Sequence, residues 1–169
     1  RVESLPAGEL VGTASEASRL LNELTLLTAA QQVGLASALV DMSVEYAIAR
    51  EQFGRPIGSF QAVKHMCAEM AVKAEVARAA VQAAACIMDD PDTGDMMRSL
   101  HGAKIVAGEA AIMTGRTATQ VYGGMGFTWE VDVHLYLKRA WVLETRFGSA
   151  DTHADAVAEM LPQPEPSQR

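Results

Sequence analysis

An acidic segment near the middle of the chain has the residue types of a calcium-binding loop. It runs from Asp90 to Asp95 and includes Asp92, and calcium prefers carboxylate oxygens. A twelve-residue loop that began at Asp90 would end at His101, and imidazole cannot replace the bidentate glutamate that such loops need at that position. The sequence therefore argues against a calcium site. These acidic residues instead suit the positive N-terminal end of a helix.

Other metal and catalytic motifs are also missing from the sequence. The four histidines are His65, His101, His134 and His153, and no two of them have the i, i+4 spacing that places a metal pair on one helix face. We interpret them as exposed or core-edge side chains. The glycine-rich segment 123–126 does not fit a dinucleotide fingerprint, because a helix precedes it where that motif needs a strand. No serine or cysteine lies in a nucleophile elbow.

The composition is typical of a single globular domain. The chain has 169 residues, 49% of them hydrophobic, which is enough to bury a core. Its formal net charge of -7 argues against nucleic acid as a partner, since binding to phosphates needs a basic surface. The sequence contains no apolar run of about twenty residues, the length that a transmembrane helix needs. Cys67 and Cys86 lie too far apart on one helix for a disulfide, and we interpret them as small buried groups in a protein of the reducing cytoplasm.

The hydrophobic pattern predicts an all-α fold, an antiparallel bundle of three long and two shorter helices. The predicted helices cover residues 13–51, 59–89, 96–122, 131–142 and 149–160. Thr13 and Glu16 have the form of a capping box at the start of the first helix. That helix is apolar on several faces, so we expect neighbours to enclose it. Ser59 is predicted to cap the second helix, and Gly123 to end the third with a positive φ.

The bundle is predicted to occupy residues 13–160. Residues 1–12 match neither a signal peptide nor a transit peptide, and we interpret them as an incoming segment from a preceding domain. Residues 161–169 contain three prolines, which cannot continue a helix, and are predicted to form a mobile tail.

Two segments resemble the acyl-CoA dehydrogenase family. Residues 46–61 (YAIAREQFGRPIGSFQ) resemble the signature between the first two C-terminal helices of that family. Residues 120–128 (QVYGGMGFT) resemble its later glycine turn. Their order and spacing also fit, and the similarity extends over nearly all of residues 10–160. The chain is therefore expected to form the family's C-terminal helical domain, which follows an N-terminal helical domain and a central β domain.

The resemblance implies FAD as the cofactor. In the family, the C-terminal domain of one subunit holds the adenosine diphosphate half of the FAD whose flavin ring lies largely in a neighbouring subunit. The residues that match the family's cofactor positions are Arg50, Gln52, Phe53, Gln61, Gln120, Gly123, Gly124 and Ser149. The planar fork of an arginine suits a pyrophosphate, and bare glycine backbone allows close approach. An ion pair for Arg50, a core plug for Phe53 and a simple turn for the glycines are the alternatives.

Both positions that hold the family's catalytic carboxylate carry apolar residues in this chain. Most members place a glutamate between the last two helices, where this chain has Phe147. A minority place it in the first long helix, where counting back from Phe53 gives Leu24. Neither side chain can accept the proton α to the thioester carbonyl. Glu23 and Glu144 lie close to these positions in sequence and are the candidates for a relocated base.

The resemblance therefore implies a subunit that lacks the base, combined with a related subunit that carries it. Some bacterial members, including ones that act on steroid side-chain CoA thioesters, are built from two different subunits. We expect a tetramer that desaturates acyl-CoA in β-oxidation of a fatty acid or a steroid side chain, with an electron-transfer flavoprotein as the electron acceptor. Two alternatives stay open, namely a catalytic subunit with a relocated carboxylate and an assembly module without flavin.

Overall fold

The computed structural model describes residues 12–162, which form a bundle of five α-helices. The helices are α1 (Ala14–Ala49), α2 (Gln61–Asp89), α3 (Met96–Tyr122), α4 (Val133–Glu144) and α5 (Ala150–Glu159). A short antiparallel hairpin of β1 (Glu51–Gln52) and β2 (Arg55–Pro56) connects α1 to α2. The predicted all-α class is confirmed. Most of the predicted incoming segment and of the predicted tail lies outside the described residues.

The first helix begins at the capping box that the sequence predicts. Thr13 Oγ1 accepts a hydrogen bond from the backbone N–H of Glu16 at 3.2 Å. In return, the Glu16 carboxylate accepts from the backbone N–H of Thr13 at 2.7 Å. The two bonds satisfy donors that the helix itself leaves unpaired.

The core lies where α1, α2 and α3 meet, and it consists mainly of small side chains. Its fully or almost fully buried alanines are Ala29, Ala36, Ala74, Ala77, Ala84, Ala103, Ala107 and Ala110. Side chains of this size allow the helix axes to approach closely. Helix α3 contacts each of the other four helices. A second buried cluster contains Leu39, Met70, Ala118 and Val133, and lies towards the C-terminal end of α3.

The predicted boundaries of two helices are wrong, and those of α3 are confirmed. Helix α2 begins at Gln61, because residues Ile57–Ser59 form a short 3-10 segment and no side chain caps α2. Packing fixes this segment, since a Cβ added to Gly58 would lie 2.9 Å from the carbonyl oxygen of Ala47. Helix α4 begins two residues later than predicted. At the start of α3, Asp95 supplies the expected acidic cap and accepts from the N–H of Arg98 at 3.0 Å.

Two expectations about burial are wrong. Cys86 is exposed and Cys67 is only half-buried; Cys86 is two residues from the buried Ala84 and therefore lies on the opposite side of α2. Within the described part of the chain, the other helices enclose α1 on one side only, and several of its apolar side chains are exposed, namely Leu20, Leu21, Leu27, Val44 and Ile48. Within residues 12–162, no helix combines the length and the apolar character needed to cross a membrane.

Candidate functional site

A pocket of about 370 Å³ lies where the C-terminal ends of α1 and α3 meet. Its lining consists of Tyr46, Arg50, Gln52, Ile57, Val121, Tyr122, Gly123, Gly124 and Met125. We call it the α1–α3 pocket. Four of the eight predicted cofactor residues line it, namely Arg50, Gln52, Gly123 and Gly124. The first pair and the second pair are separated by 70 residues of chain. The fold therefore joins the two segments that carry the family resemblance.

Arg50 lies at the C-terminal end of α1 with a fixed backbone and an exposed side chain. Its N–H donates to the carbonyl of Tyr46, and its own carbonyl accepts from the N–H of Ile57, both at 2.8 Å. Among residues 12–162 its guanidinium forms no ion pair. The helix dipole favours a cation at this end, and the planar fork remains available to an anion such as a pyrophosphate.

Phe53 lies at the tip of the hairpin in a conformation that phenylalanine rarely adopts. It has a φ of 55°, and Gly54 after it has a φ of 77°, as in the type I′ turns that suit two-residue hairpins. A non-glycine residue at positive φ is strained. The side chain is also 92% exposed, so the alternative that it plugs the core is wrong. An exposed flat ring in a strained turn is of use to a ligand with a planar group.

The two adjacent glycines of the pocket differ in what the fold requires of them. Gly123 has a φ of 60° and ends α3 as predicted. Gly124 has no positive φ, and a Cβ added to it would meet nothing within 4 Å. The described chain therefore requires glycine at 123 but not at 124. The bare backbone at Gly124 leaves room for a group from outside the domain.

A stacked pair of tyrosines, which the sequence did not predict, forms one wall of the pocket. The rings of Tyr46 and Tyr122 lie 4.0 Å apart with an interplanar angle of 14°. Tyr122 Oη donates to the carbonyl oxygen of Met42 at 3.1 Å, and burial raises the pKa of Tyr122. The pair ties the end of α1 to the end of α3. Tyr46 lies four residues before Arg50, and Tyr122 directly precedes Gly123. Their closeness to predicted cofactor residues is the sequence signal that could have identified the pair.

The remaining predicted cofactor residues do not line this pocket. Gln61 begins α2 and Gln120 lies in the last turn of α3, and both are exposed. Ser149 lies far away, at the N-terminal end of α5, where its hydroxyl accepts from the N–H of Thr152 at 3.3 Å. Its neighbour Gly148 contacts Lys104 of α3, about 28 Å along the helix from Gly123. The structure therefore separates Ser149 from the α1–α3 pocket.

The predicted base position lies in the loop of residues 145–149 between α4 and α5, which we call the base loop. Phe147 has a φ of 55° and Gly148 a φ of 108°. The ring of Phe147 is 36% exposed, and the Arg146 guanidinium lies 5.8 Å from its centroid. Leu24, at the other family position, is half-buried in α1. Neither side chain offers a proton acceptor.

The two candidate carboxylates both have other partners. Glu144 Oε1 accepts from the backbone N–H of Ala150 at 2.7 Å. Its Oε2 is buried against Gly108 of α3, and has no hydrogen-bond partner among the described residues. Glu23 is exposed and pairs with Arg19 at 3.6 Å. The Glu144 carboxylate thus packs between Gly108 and the start of α5, beside a pocket of about 670 Å³ that Glu144 helps to line.

Comparison with known proteins identifies the family of this chain. The family model for the C-terminal domain of acyl-CoA dehydrogenases matches residues 13–161. The chain belongs to the acyl-CoA dehydrogenase family.

Two curated relatives and one solved structure illustrate the similarity. The acyl-CoA dehydrogenase FadE34 of Mycobacterium tuberculosis is 40% identical over 144 residues, which is 81% of this chain and 20% of the relative. The acyl-CoA dehydrogenase IpdE2 of the same organism is 44% identical over 115 residues, 68% of this chain and 34% of the relative. A structure of PigA with FAD and proline has a TM-score of 0.78 at 26% identity, covering 83% of this chain and 36% of that one. The chain thus spans between a fifth and about a third of these proteins.

Beneath the base loop of this acyl-CoA dehydrogenase domain lie three basic side chains whose association the sequence did not reveal. Lys104 is completely buried, and its Nζ donates to the carbonyls of Glu144 and Gly148, both at 3.1 Å. His101 and His153 lie with their Nδ1 atoms 2.6 Å apart. His134 and His153 are buried, so the interpretation of the histidines as exposed or core-edge side chains is wrong for these two. His101 and His153 are distant in sequence, so no spacing motif could have predicted their contact.

Burial shapes the ionisation of this group. It lowers the pKa of Lys104, although the nearby Glu144 carboxylate acts in the opposite direction. Burial, followed by the nearby positive charges of His101 and Lys104, lowers the pKa of His153 from 6.5 to about 4. Burial also lowers the pKa of His101. Both histidines are therefore neutral at pH 7, when one Nδ1 donates the hydrogen bond and the other accepts it.

We expect the stability of the protein to fall in mild acid because of His153. Its pKa is about 4 in the folded state and 6.5 without the fold, so protons bind the unfolded chain more readily. Its contribution to the free energy of unfolding is complete above pH 6.5 and decreases as the pH falls towards 4. Denaturant midpoints measured across this range should show the decline. His153→Gln should reduce the decline of the midpoint with falling pH, whereas His65→Gln, at an exposed position, should leave the decline unchanged. Equal pH profiles for the unaltered protein and both variants would contradict the prediction.

Proposed function

We propose that this chain is the C-terminal domain of an acyl-CoA dehydrogenase subunit that binds part of FAD but lacks the catalytic base. A related subunit would carry the base. The reaction would be the α,β-desaturation of an acyl-CoA thioester, in which bound FAD accepts the hydride from the β carbon. The observation that carries the proposal is the pairing of an available cofactor pocket with an apolar Phe147 at the base position. Fatty-acyl and steroid side-chain thioesters are the substrate classes that the family suggests.

Three features of the α1–α3 pocket support the cofactor half of the proposal. The Arg50 guanidinium has no acidic partner among the described residues. Phe53 holds an exposed aromatic ring in a strained turn. Gly124 has open space where a side chain would fit. A pyrophosphate, an adenine ring and a closely passing ribose would use these three features in turn. An assembly module without flavin would need none of them.

The contacts of the two candidate carboxylates support the absence of a base. A relocated base at Glu144 would have to leave the N–H of Ala150 and turn away from Gly108. Glu23 precedes Leu24 by one residue, and one residue turns a side chain by about 100° around a helix. A base needs to lie within hydrogen-bond reach of the proton that it removes. Neither glutamate therefore places its carboxylate where the side chain of Phe147 or Leu24 lies.

Exposed apolar side chains support the expectation of a partner. Large apolar residues on α1, on α4 and on the segment before α4 are open in the isolated domain, namely Leu20, Leu21, Leu27, Phe127, Trp129, Trp141 and Val142. Exposed apolar area of this extent is typical of protein interaction surfaces. Further domains of the same polypeptide and a second subunit would cover it, in a homo- or heterotetramer. The electron acceptor that the family suggests is an electron-transfer flavoprotein.

The proposal can be tested on the natural full-length polypeptide that contains this domain. It should be purified alone and together with the related subunit, followed by mass determination, a visible spectrum and a dye-reduction assay with acyl-CoA. We expect a yellow complex of two different chains that reduces the dye only when both are present. Turnover by the polypeptide alone would contradict the proposal that this subunit lacks the base. A colourless complex would contradict the proposal that it binds part of FAD.

Gly124→Ala should separate cofactor binding from stability. Because a Cβ at this position contacts nothing in the described chain, the free energy of unfolding should change by no more than about 0.5 kcal/mol. The added methyl should lower FAD occupancy, measured as the ratio of flavin to protein absorbance. Gly102→Ala is the matched control, in the interior of α3 with equally open space. It should raise stability by about 0.5–1 kcal/mol and leave occupancy unchanged. Normal flavin content in Gly124→Ala would contradict close approach at that position.

A further inference from the structure

Lys104 is a buried cation without an ion pair. Its side chain is completely enclosed, and no carboxylate lies within 4 Å of it among the described residues. Removing an ammonium group from water is unfavourable unless hydrogen bonds compensate. Two of its three donors are used on backbone carbonyls. The position of those two carbonyls indicates the structural role of the buried Lys104.

One carbonyl directly precedes the base loop, and the other lies near its end. Glu144 is the last residue of α4, and Gly148 directly precedes the N-terminal cap of α5. The single ammonium therefore bridges the two ends at 3.1 Å each. The Glu144 side chain adds a parallel connection by accepting from the N–H of Ala150 at 2.7 Å. Below the loop, His153 fills the space beside Gly148, where an added Cβ would lie 2.8 Å from Nε2.

The loop that is bridged in this way is strained. Phe147 and Gly148 both have positive φ, and phenylalanine has no intrinsic preference for that region. A strained backbone persists only where its surroundings determine it. Among the described contacts of the loop, the bonds to Lys104 hold its two ends from the side of the core. They therefore fix the backbone on both sides of residue 147.

We propose that Lys104 is a positioning residue that holds the base loop in the conformation from which side chain 147 is presented. This use of position 147 rests on the proposed function, whereas the mechanical role of Lys104 does not. In this chain the residue presented is Phe147. The same arrangement would present a carboxylate if one stood at that position.

The test compares Lys104→Met with Lys64→Met in the assembled full-length protein. Methionine fills a similar volume without the two hydrogen bonds, and Lys64 is an exposed lysine of α2. Amide hydrogen exchange of the 145–149 segment should become at least about tenfold faster in Lys104→Met, with α1 and α2 unchanged. Trypsin cleavage after the exposed Arg146 should accelerate in parallel. Lys104→Gln, which keeps an N–H donor, should restore part of the protection.

A second readout addresses presentation of the side chain. On a Phe147→Glu background, Lys104→Met should lower kcat more than it raises KM, because a displaced carboxylate still permits thioester binding. Loop exchange that is the same in Lys104→Met and in the unaltered protein would overturn the proposal. Inactivity of Phe147→Glu itself would count against the proposed function, while the exchange and cleavage measurements would still decide the role of Lys104.

Discussion

Arg50→Ala should deplete the assembled protein of flavin while its helices stay intact. A hydrogen bond from a charged group contributes about 1.5–3 kcal/mol, and 1.4 kcal/mol corresponds to a factor of ten in affinity. Loss of the guanidinium should therefore weaken FAD binding by about ten- to a hundredfold. Helix content should be unaffected, because the fold uses only the backbone of Arg50. The measurements are flavin absorbance per protein after gel filtration and far-ultraviolet circular dichroism.

Arg55→Ala is the matched control for Arg50→Ala. Arg55 lies in the hairpin that directly follows Arg50, is also exposed and carries the same charge. Its guanidinium lies 4.2 Å from the ring centroid of Phe60 and does not line the α1–α3 pocket. It should therefore change the overall charge without changing flavin occupancy. Equal loss in both variants would indicate a general charge effect, and full occupancy in Arg50→Ala would show that the guanidinium does not hold the cofactor.

The sequence predicted those elements whose ends carry unambiguous local chemistry. Helix α3 has the predicted bounds because Asp95 caps its start and Gly123 takes a positive φ at its end. The capping box of Thr13 and Glu16 is equally local. Helix α4 lacks such a signal, since Asp132 makes no side-chain cap bond, and its predicted bounds are wrong by two residues. Local chemistry fixes boundaries, and where it is missing packing decides them.

The candidate site divides in the same way between local and distant information. Arg50 and Gly123 were predicted as cofactor residues from short motifs, and the fold places both in the lining of one pocket. The strained turn of Phe53 was not predictable from propensity, because type I′ turns favour asparagine, aspartate and glycine. Lys104 and the His101–His153 pair depend on contacts across 40 to 52 residues of chain. Periodicity identifies a buried face but not the partner that it meets.

Phe147→Glu should convert the proposed non-catalytic subunit into one that removes the α-proton by itself. The backbone at residue 147 already has the positive φ that presents its side chain, and the ring is partly exposed. Glutamate at this φ is no more strained than phenylalanine, since both carry a Cβ. A positioned general base contributes about 10²–10⁴ to the rate. Dye reduction by the flavin-loaded full-length polypeptide, without its partner, should therefore rise from background by at least about a hundredfold.

Two controls make the gain specific to a carboxylate at that position. Phe147→Gln introduces a side chain of similar shape that cannot act as a base, and should stay inactive. Arg146→Glu makes an acidic substitution one residue away and should also stay inactive, because its side chain leaves the loop in another direction. If Phe147→Glu were no faster than Phe147→Gln, position 147 would not face the carbon acid. If the unaltered polypeptide turned over alone and Glu144→Gln abolished that activity, the base would be Glu144, and the bond from Ala150 to its carboxylate would have to open during the reaction.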